Sequence, residues 1–241
     1  MRGNSMKKYF DKLYKKGFEA FIYDLSECVR TDKKTFVITA NPETLMIGAE
    51  NPVFDAILKS EDSTIVPDGI GVVKAAQMIG MPVAGRIPGV EIVQELFGIL
   101  NDANKSIYLL GAKREVVEKL VEKLHTDYPN LRVLGYEDGY VQNKDAVFEE
   151  IARLKPDAVL VALGIPTQET LIHKHYDKFD KGIFIGVGGS FDVLSGTKNR
   201  APKIFIKLNL EWLYRIMKEP KRFKRFYDSN VKFIGKIRKM R

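Results

Sequence analysis

Short β-rich runs alternate with stretches of helical length along most of this chain, and this alternation constrains the fold more than any other feature. Six runs predict strands: Phe36–Thr39, Thr64–Val66, Ser106–Leu110, Arg132–Gly135, Ala158–Ala162 and Ile183–Val187. Apolar spacing predicts helices at Tyr9–Arg30, Val90–Ala103, Glu115–Tyr128, Ala146–Leu154 and Gln168–Phe179. Strands that alternate with helices are typical of a parallel sheet covered by helices. We therefore expect a doubly wound α/β fold.

The pattern changes after Gly196, where no further strand is predicted. Ala201–Met217 predicts one amphipathic helix, and Pro220 ends it because proline cannot continue a helix. Val231–Ile237 adds a last basic and apolar segment. The carboxyl-terminal part should therefore consist of two or three helices.

Charge divides the chain at the same place. Of a net charge of +8, residues 198–241 hold 15 Lys/Arg and 3 Asp/Glu, whereas residues 1–197 hold 24 Lys/Arg and 28 Asp/Glu. A basic segment on a mildly acidic body indicates contact with a polyanion such as anionic lipid, phosphate groups or nucleic acid. We expect a Rossmann-like, mostly parallel α/β domain over residues 6–197 and a basic helical appendage over residues 198–241.

Cysteine content and hydropathy restrict the setting in which this chain works. Cys28 is the only cysteine, so an intrachain disulfide is excluded and a reducing compartment fits. The longest apolar runs, such as Ala158–Ile165, fall well short of the roughly 20 residues that cross a bilayer. The sequence therefore predicts no membrane-spanning segment.

Polar and glycine-rich clusters follow four of the predicted strands. They contain Thr39 with Asn41, then Asp68, then Gln168, and finally the run Gly186–Ser190. In open α/β sheets, ligands bind outside the carboxyl ends of the strands. These clusters are therefore the candidate site.

Two of these clusters have a structural alternative. Asp68 precedes a helix, so it is either a general base that faces a ligand or a helix N-cap, and the pattern alone favours the cap. Asn41 precedes a proline, which is typical of a turn or cap as well as of a ligand contact. Both readings of Asn41 remain open at this stage.

The Gly186–Gly189 run lets a backbone approach a phosphate closely, or lets a helix pack tightly on a strand. It does not match G-x-G-x-x-G, which argues against a nicotinamide dinucleotide site.

His173 and His175 lie two apart in a predicted helix, so we expect separate solvated side chains and no shared metal ion. The chain also lacks an Asp-x-Asp triplet, and we expect no metal and no cofactor.

Taken together, the clusters resemble the WecG/TagA/CpsF family of glycosyltransferases from about Thr35 to Tyr227. The resemblance rests on nine motifs in order: ITANPE, VPDGIGVV, GRIPG, IYLLGAK, GYEDGY, LGIPTQE, GVGGSFDVLSG, NRAP and LEWLYRIMKEPKRFKRF. The last motif is the most specific of the nine.

The resemblance implies a role for individual residues of this chain. The catalytic aspartate of the family falls on Asp68, which reverses the preference for a cap. The other implied substrate contacts are Thr39, Asn41, Arg86, Gln168, Gly186, Gly188, Gly189, Ser190, Arg215, Arg222 and Arg225. Two positions depart from the family pattern, because Gly85 replaces the usual acid before the arginine and Glu91 stands where an aspartate is common.

The activity implied is metal-independent, inverting transfer of a sugar, commonly of the N-acetylmannosamine type, from a UDP-sugar to a polyprenyl-diphosphate-linked acceptor. Family members serve teichoic acid, enterobacterial common antigen or capsule synthesis. We expect a cytoplasmic enzyme that is peripheral on the inner face of the membrane, with a homo-oligomer left open. The rivals are a nucleic-acid-binding protein that uses the basic appendage and, less supported, a nucleotide-dependent oxidoreductase.

Overall fold

The computed structural model describes residues 3–240, apart from the side chains of residues 3–5, 222 and 225. Its six strands are β1 Thr35–Ala40, β2 Ser63–Pro67, β3 Ser106–Gly111, β4 Arg132–Glu137, β5 Ala158–Ala162 and β6 Ile183–Gly186. Up to β3 the helices are α1 Gly3–Asp11, α2 Phe18–Arg30, α3 Pro42–Glu50, α4 Pro52–Lys59, α5 Ile70–Met78 and α6 Gly89–Asp102. The later helices are α7 Arg114–Asp127, α8 Lys144–Leu154, α9 Thr167–His175, α10 Ser190–Leu194, α11 Lys203–Lys207, α12 Glu211–Lys218 and α13 Arg222–Arg238.

The strands form one parallel sheet in the order β2-β1-β6-β5-β3-β4, which confirms the predicted α/β class. All six predicted strands are present, and β6 ends at Gly186, one residue earlier than predicted. β1 lies between β2 and β6, with Ala40 opposite Pro67 and Ile38 opposite Gly186. The carboxyl ends of these three strands therefore meet at one edge of the sheet.

Two apolar cores lie on opposite faces of this sheet. Phe36 and Ile38 of β1 belong to one core, whereas Val37 between them belongs to the other. This alternation follows from the strand geometry, in which successive side chains point to opposite faces. Because helices cover both faces, the strands are apolar along their length rather than on one side only.

The amino-terminal segment differs from the single predicted helix. α1 and α2 are separate, and the chain between them runs along the edge of β2. Leu13 forms an isolated parallel bridge with Ile65, and the Tyr14 amide donates to the Ile65 carbonyl at 2.8 Å. Backbone pairing with the edge strand replaces the helical hydrogen bonds that the apolar spacing had suggested.

The predicted helix Ala201–Met217 is likewise divided, into α11 and α12. Asn209 takes a left-handed conformation with φ of 57°, and the Leu210 amide donates back to the Phe205 carbonyl at 2.7 Å. Asparagine tolerates this conformation better than most residues do, so the chain turns there without leaving the apolar pattern. Among the described residues after Gly196, three helices are present, α11, α12 and α13, where two or three were expected.

The last helix of the appendage joins the core. Phe233 and Ile237 of α13 are buried, and the Phe233 ring lies 6.4 Å from the ring of Phe10 in α1. Apolar burial of this kind stabilises the docked helix. Within the described residues, no helix is both long enough and apolar enough to span a membrane.

Candidate functional site

A cleft of about 490 Å³ lies at the carboxyl edge of the sheet, between the body and α12 of the appendage. It brings together nine of the residues singled out in the sequence: Thr39, Asn41, Asp68, Arg86, Gln168, Gly188, Gly189, Ser190 and Arg215. Gly186 lies behind this wall, and the side chains of Arg222 and Arg225 lie outside the described residues. Four separate sequence clusters and one appendage helix thus meet in one place.

Asp68 follows β2 directly and faces the cleft. The N-cap of α5 is Gly69 and not Asp68, and no side chain caps this helix, so the cap alternative for Asp68 does not hold. The Asp68 side chain keeps 30% exposure toward the cleft. Burial raises its pKa above the usual aspartate value, against the opposing pull of Arg86 and Arg215.

Arg86 lies between Asp68 and the appendage. Its Nε donates to the Asp68 carbonyl, and its Nη2 lies 3.5 Å from Asp68 Oδ1. The same Nη2 lies 2.6 Å from Glu211 Oε2, at the start of α12. One guanidinium therefore links the candidate base to the appendage.

Glu211 is nearly buried and has a second cationic partner. Arg200 Nε lies 3.4 Å from Glu211 Oε1, and Arg200 also pairs with Glu91. Burial disfavours the charge of Glu211, but Arg86 and Arg200 outweigh it and hold the pKa of this carboxyl below its usual value. Neither Glu211 nor Arg200 was predicted as a site residue. The available signal was the rarity of acids in the appendage, where Glu211 is one of three.

Thr39 and Asn41 occupy the wall at the end of β1. Thr39 Oγ1 donates to the Gly186 carbonyl at 3.4 Å. Asn41 caps α3, since its Oδ1 accepts from the Thr44 amide at 3.0 Å and its own amide donates to Thr44 Oγ1. The cap reading of Asn41 is therefore confirmed, and the residue also lines the cleft.

Gln168 connects two loops of the cleft rather than extending into it. Its side chain is buried, and its Oε1 accepts from the Gly164 amide at 3.1 Å and from the Gly188 amide at 3.0 Å. Its Nε2 donates to Glu169 Oε1 at 2.8 Å. Burial raises the pKa of Glu169 to about 7, against the hydrogen bond from Gln168. This arrangement fixes the shape of the glycine-rich turn.

The two alternatives for the glycine run apply to different glycines. Gly186 serves packing, because a Cβ there would lie 2.5 Å from Gln168 Nε2. Gly188 serves the turn, because its φ of 49° is one that side chains rarely adopt. The Ser190 amide already donates to the Val187 carbonyl. Among the described residues, the Gly189 amide and the Ser190 hydroxyl make no hydrogen bond and remain available to a ligand.

α12 supplies the opposite wall of the cleft. Arg215 is exposed, and within the described part of the chain its side chain makes no hydrogen bond or salt bridge. Trp212 is 38% exposed and stacks on Phe226 with ring centroids 4.6 Å apart. The cleft therefore contains a cation that forms no salt bridge with a described side chain.

A second cavity of about 470 Å³ lies on the other side of Arg215 and Trp212. It shares these two residues, Asn41, Gly69 and Ile70 with the cleft. Its further lining residues are Pro42, Glu43, Gly71, Ile216, Phe226, Ser229 and Asn230. A polar cleft and a more apolar cavity thus meet along one side of α12.

The histidines take no part in this site. His175 is buried, so the expectation of a solvated side chain was wrong for it. It stacks on Phe148, and its Nε2 lies 2.6 Å from Asp145 Oδ1, which joins α9 to α8. In the part of the chain that the structure describes, no three His, Cys, Asp or Glu side chains are grouped so that they could hold a metal ion.

Comparisons with known proteins identify the family of this chain. The family model described as "Glycosyl transferase WecG/TagA/CpsF family" matches residues 10–241. A Bacillus subtilis relative is 44% identical over 189 residues, which is 78% of this chain and 73% of the relative. One from Bacillus spizizenii is 41% identical over 80% of this chain and 75% of its own length. One from Staphylococcus aureus is 39% identical over 85% of this chain and 80% of its own length. All three are named N-acetylglucosaminyldiphosphoundecaprenol N-acetyl-beta-D-mannosaminyltransferase.

Proposed function

Because this chain belongs to the WecG/TagA/CpsF family of glycosyltransferases, we propose that it transfers an N-acetylmannosamine-type sugar from a UDP-sugar to an undecaprenyl-diphosphate-linked acceptor. The names of its relatives support the transferred sugar and an acceptor that carries N-acetylglucosamine. The reaction inverts the anomeric centre and uses no metal. The observation that carries the proposal is the cleft, where the Asp68 carboxylate faces the exposed cation of Arg215.

The diphosphate of the donor binds between the glycine turn and α12. The free Gly189 amide and Ser190 hydroxyl lie on one wall, and Arg215 lies on the other. Departure of UDP leaves negative charge on the diphosphate, and preorganised donors stabilise that charge in the transition state. Arginine suits this task because it pairs with phosphate through two parallel hydrogen bonds and stays charged. The family resemblance gives Arg222 and Arg225 the same task of binding phosphate, and their side chains lie outside the described residues.

Asp68 acts as the general base that removes the proton from the acceptor hydroxyl. A base works best when its pKa approaches the working pH, and burial raises the pKa of Asp68 in that direction. Thr39 and Asn41 lie beside it and position the transferred sugar. Gln168 contributes to substrate binding indirectly, because its hydrogen bonds fix the conformation of the turn at Gly188.

The acceptor reaches Asp68 through the second cavity. This cavity shares Arg215 with the donor cleft, so a diphosphate of the acceptor could approach the same cation from the apolar side. The stacked pair Trp212 and Phe226 gives an apolar surface for the first isoprenoid units. Because the two cavities share residues, the two substrates would meet beside Asp68, which lines the cleft.

The appendage holds the enzyme on an anionic membrane, here the inner leaflet, during synthesis of teichoic acid or another surface polysaccharide. Of the 13 large apolar side chains exposed among the described residues, eight lie in the appendage, and they include Phe223 and Tyr227. Each basic side chain near an anionic surface contributes about 1 kcal/mol, so a few of the 15 cations suffice for reversible binding. Flotation with anionic vesicles should succeed at low salt and fail as salt rises, since salt screens this attraction. A gel shift with RNA at the same salt should show no complex, and the opposite pair of results would favour the nucleic-acid alternative.

A transfer assay tests the function directly. The purified protein is incubated with UDP-N-acetylmannosamine and a short-chain polyprenyl-diphosphate-linked N-acetylglucosamine, with and without a chelator. We expect a disaccharide product in both reactions and a β linkage by nuclear magnetic resonance, which reports inversion from an α-linked donor. Loss of the product with the chelator would refute the metal-independent mechanism. Turnover with other nucleotide sugars only would refute the proposed donor.

A further inference from the structure

We propose that Glu211 of the appendage is a positioning residue for the base: it holds the Arg86 guanidinium toward α12, so that Asp68 does not pair with it fully. The appendage then acts on the proton-transfer step of the body through one shared arginine. The inference rests on the proposed role of Asp68 as base.

The geometry shows Arg86 divided unequally between two carboxylates. Its Nη2 lies 2.6 Å from Glu211 Oε2 and 3.5 Å from Asp68 Oδ1, so the closer carboxylate is the one of the appendage. The Arg86 side chain is 18% exposed and the Glu211 side chain 6%, so water replaces neither partner readily. A buried charge is costly unless it is paired, and Arg86 would therefore turn to Asp68 if Glu211 lost its charge.

Arg200 holds Glu211 in place from the other side. Its Nε lies 3.4 Å from Glu211 Oε1, and its guanidinium also pairs with Glu91 at the start of α6. Glu211 is thus anchored through Arg200 to the body and is not a freely rotating surface acid. This anchoring makes the position of Arg86 a property of the docked appendage.

Four groups around Asp68 determine its protonation besides burial itself. Arg86 and Arg215 favour the carboxylate, as does a hydrogen bond from the Gly89 amide, whereas the negative charge of Glu211 disfavours it. Neutralising Glu211 removes the one opposing charge and also releases Arg86 toward Asp68. Both effects lower the pKa of Asp68, and a base of lower pKa removes a proton less effectively.

The test is the pH dependence of kcat/KM for Glu211→Gln, measured with the short-chain acceptor. Activity needs ionised Asp68, so it falls as pH drops through the pKa of that group. We expect Glu211→Gln to move this acid limb of the pH profile to lower pH. We also expect the plateau value of kcat/KM to fall by about tenfold, which is part of the 10² to 10⁴ that a positioned base contributes. Glu211→Asp keeps the charge with a shorter reach and should shift the limb in the same direction by less.

The control is Glu219→Gln, which removes a second appendage acid whose side chain is 46% exposed and lies near Lys198. It should leave the limb in place. If Glu211→Gln folds and has lower activity but the same acid limb of the pH profile as the wild type, Glu211 only docks the appendage. If Glu211→Gln does not fold, an unshifted limb in Glu211→Asp overturns the proposal. Absence of transfer by the wild-type protein would refute the proposed function instead, so the two failures are distinguishable.

Discussion

The body and the appendage use their polar side chains in different ways. In the body, the polar groups of the cleft are largely engaged with each other: Asn41 caps α3, and Gln168 bonds three neighbours. In the appendage, the Arg215 side chain faces the cleft without a hydrogen bond or salt bridge to a described residue, and most large exposed apolar side chains are concentrated there. The body therefore provides a fixed frame, whereas the appendage provides a cation and exposed apolar side chains, which we propose contact substrate and membrane.

This difference between the two regions is not complete, because some side chains of the appendage are buried against the body. Glu211 is buried at the front of the site, and Phe233 and Ile237 are buried in the core. Removing the whole appendage would therefore expose apolar surface of the body and disturb stability as well as chemistry. Single substitutions separate the two regions more cleanly than truncation does.

Asp68→Asn should have the largest effect on turnover. Losing a positioned base typically costs about 10² to 10⁴ in rate. The melting temperature should stay the same or rise slightly, because Asp68 caps no helix and burial disfavours its charge. Initial rates and thermal unfolding of the same preparation check both parts. Near wild-type turnover by the folded variant would remove Asp68 from the mechanism, and early melting would mean that its role is structural.

Arg215→Ala should reduce kcat by roughly 10²-fold, in the range found when one donor to a developing charge is removed. Stability should hardly change, since Arg215 makes no salt bridge among the described residues. The matched control is Lys218→Ala on the same helix, a cation that lies near Tyr214 and outside both cavities. Equal losses in the two variants would show that the appendage contributes only general positive charge.

The sequence predicted the fold well because strands buried on both faces of a parallel sheet appear in it as continuous apolar runs. Every strand was found, and Asp68 was placed correctly at a strand end. It missed the two breaks in helical pattern, since edge pairing by Leu13 and the left-handed turn at Asn209 do not interrupt the apolar spacing. Such breaks depend on tertiary contacts that spacing does not record.

The site was predicted less completely than the fold. The motifs identified residues that line the cleft, but they did not show that Gln168 is tied up in hydrogen bonds or that Gly186 lies behind the wall. Glu211 was missed because its partner Arg86 is distant in sequence. A buried pair between distant segments becomes visible only when the chain is folded.

Asp157→Asn should lower the free energy of unfolding and leave turnover unchanged. The variant therefore distinguishes a charge that stabilises the fold from one that acts in the reaction. Burial opposes the charge of Asp157, but hydrogen bonds from Lys181 and Ser106 outweigh it and lower its pKa to about 2. A shift of this size from 3.8 corresponds to about 2 kcal/mol of folding free energy at neutral pH.

Because the folded pKa is depressed, this contribution is present above pH 4 or so and is lost as pH falls toward 2. The difference in unfolding free energy between wild type and Asp157→Asn, measured with denaturant, should therefore shrink over that window. Turnover at a temperature where both proteins are folded should be equal. A loss of kcat without a loss of stability would contradict the structural assignment.

A crystal structure with UDP bound tests most directly whether one site is assembled from the two regions. We expect the diphosphate between the glycine turn and α12, with the Gly189 amide, the Ser190 hydroxyl and the Arg215 guanidinium each at hydrogen-bond distance, about 3 Å. Asp68 should remain open to the space where the sugar would lie. Density for the diphosphate at another edge of the sheet, or contacts from the body alone with Arg215 turned to solvent, would contradict the two-region account.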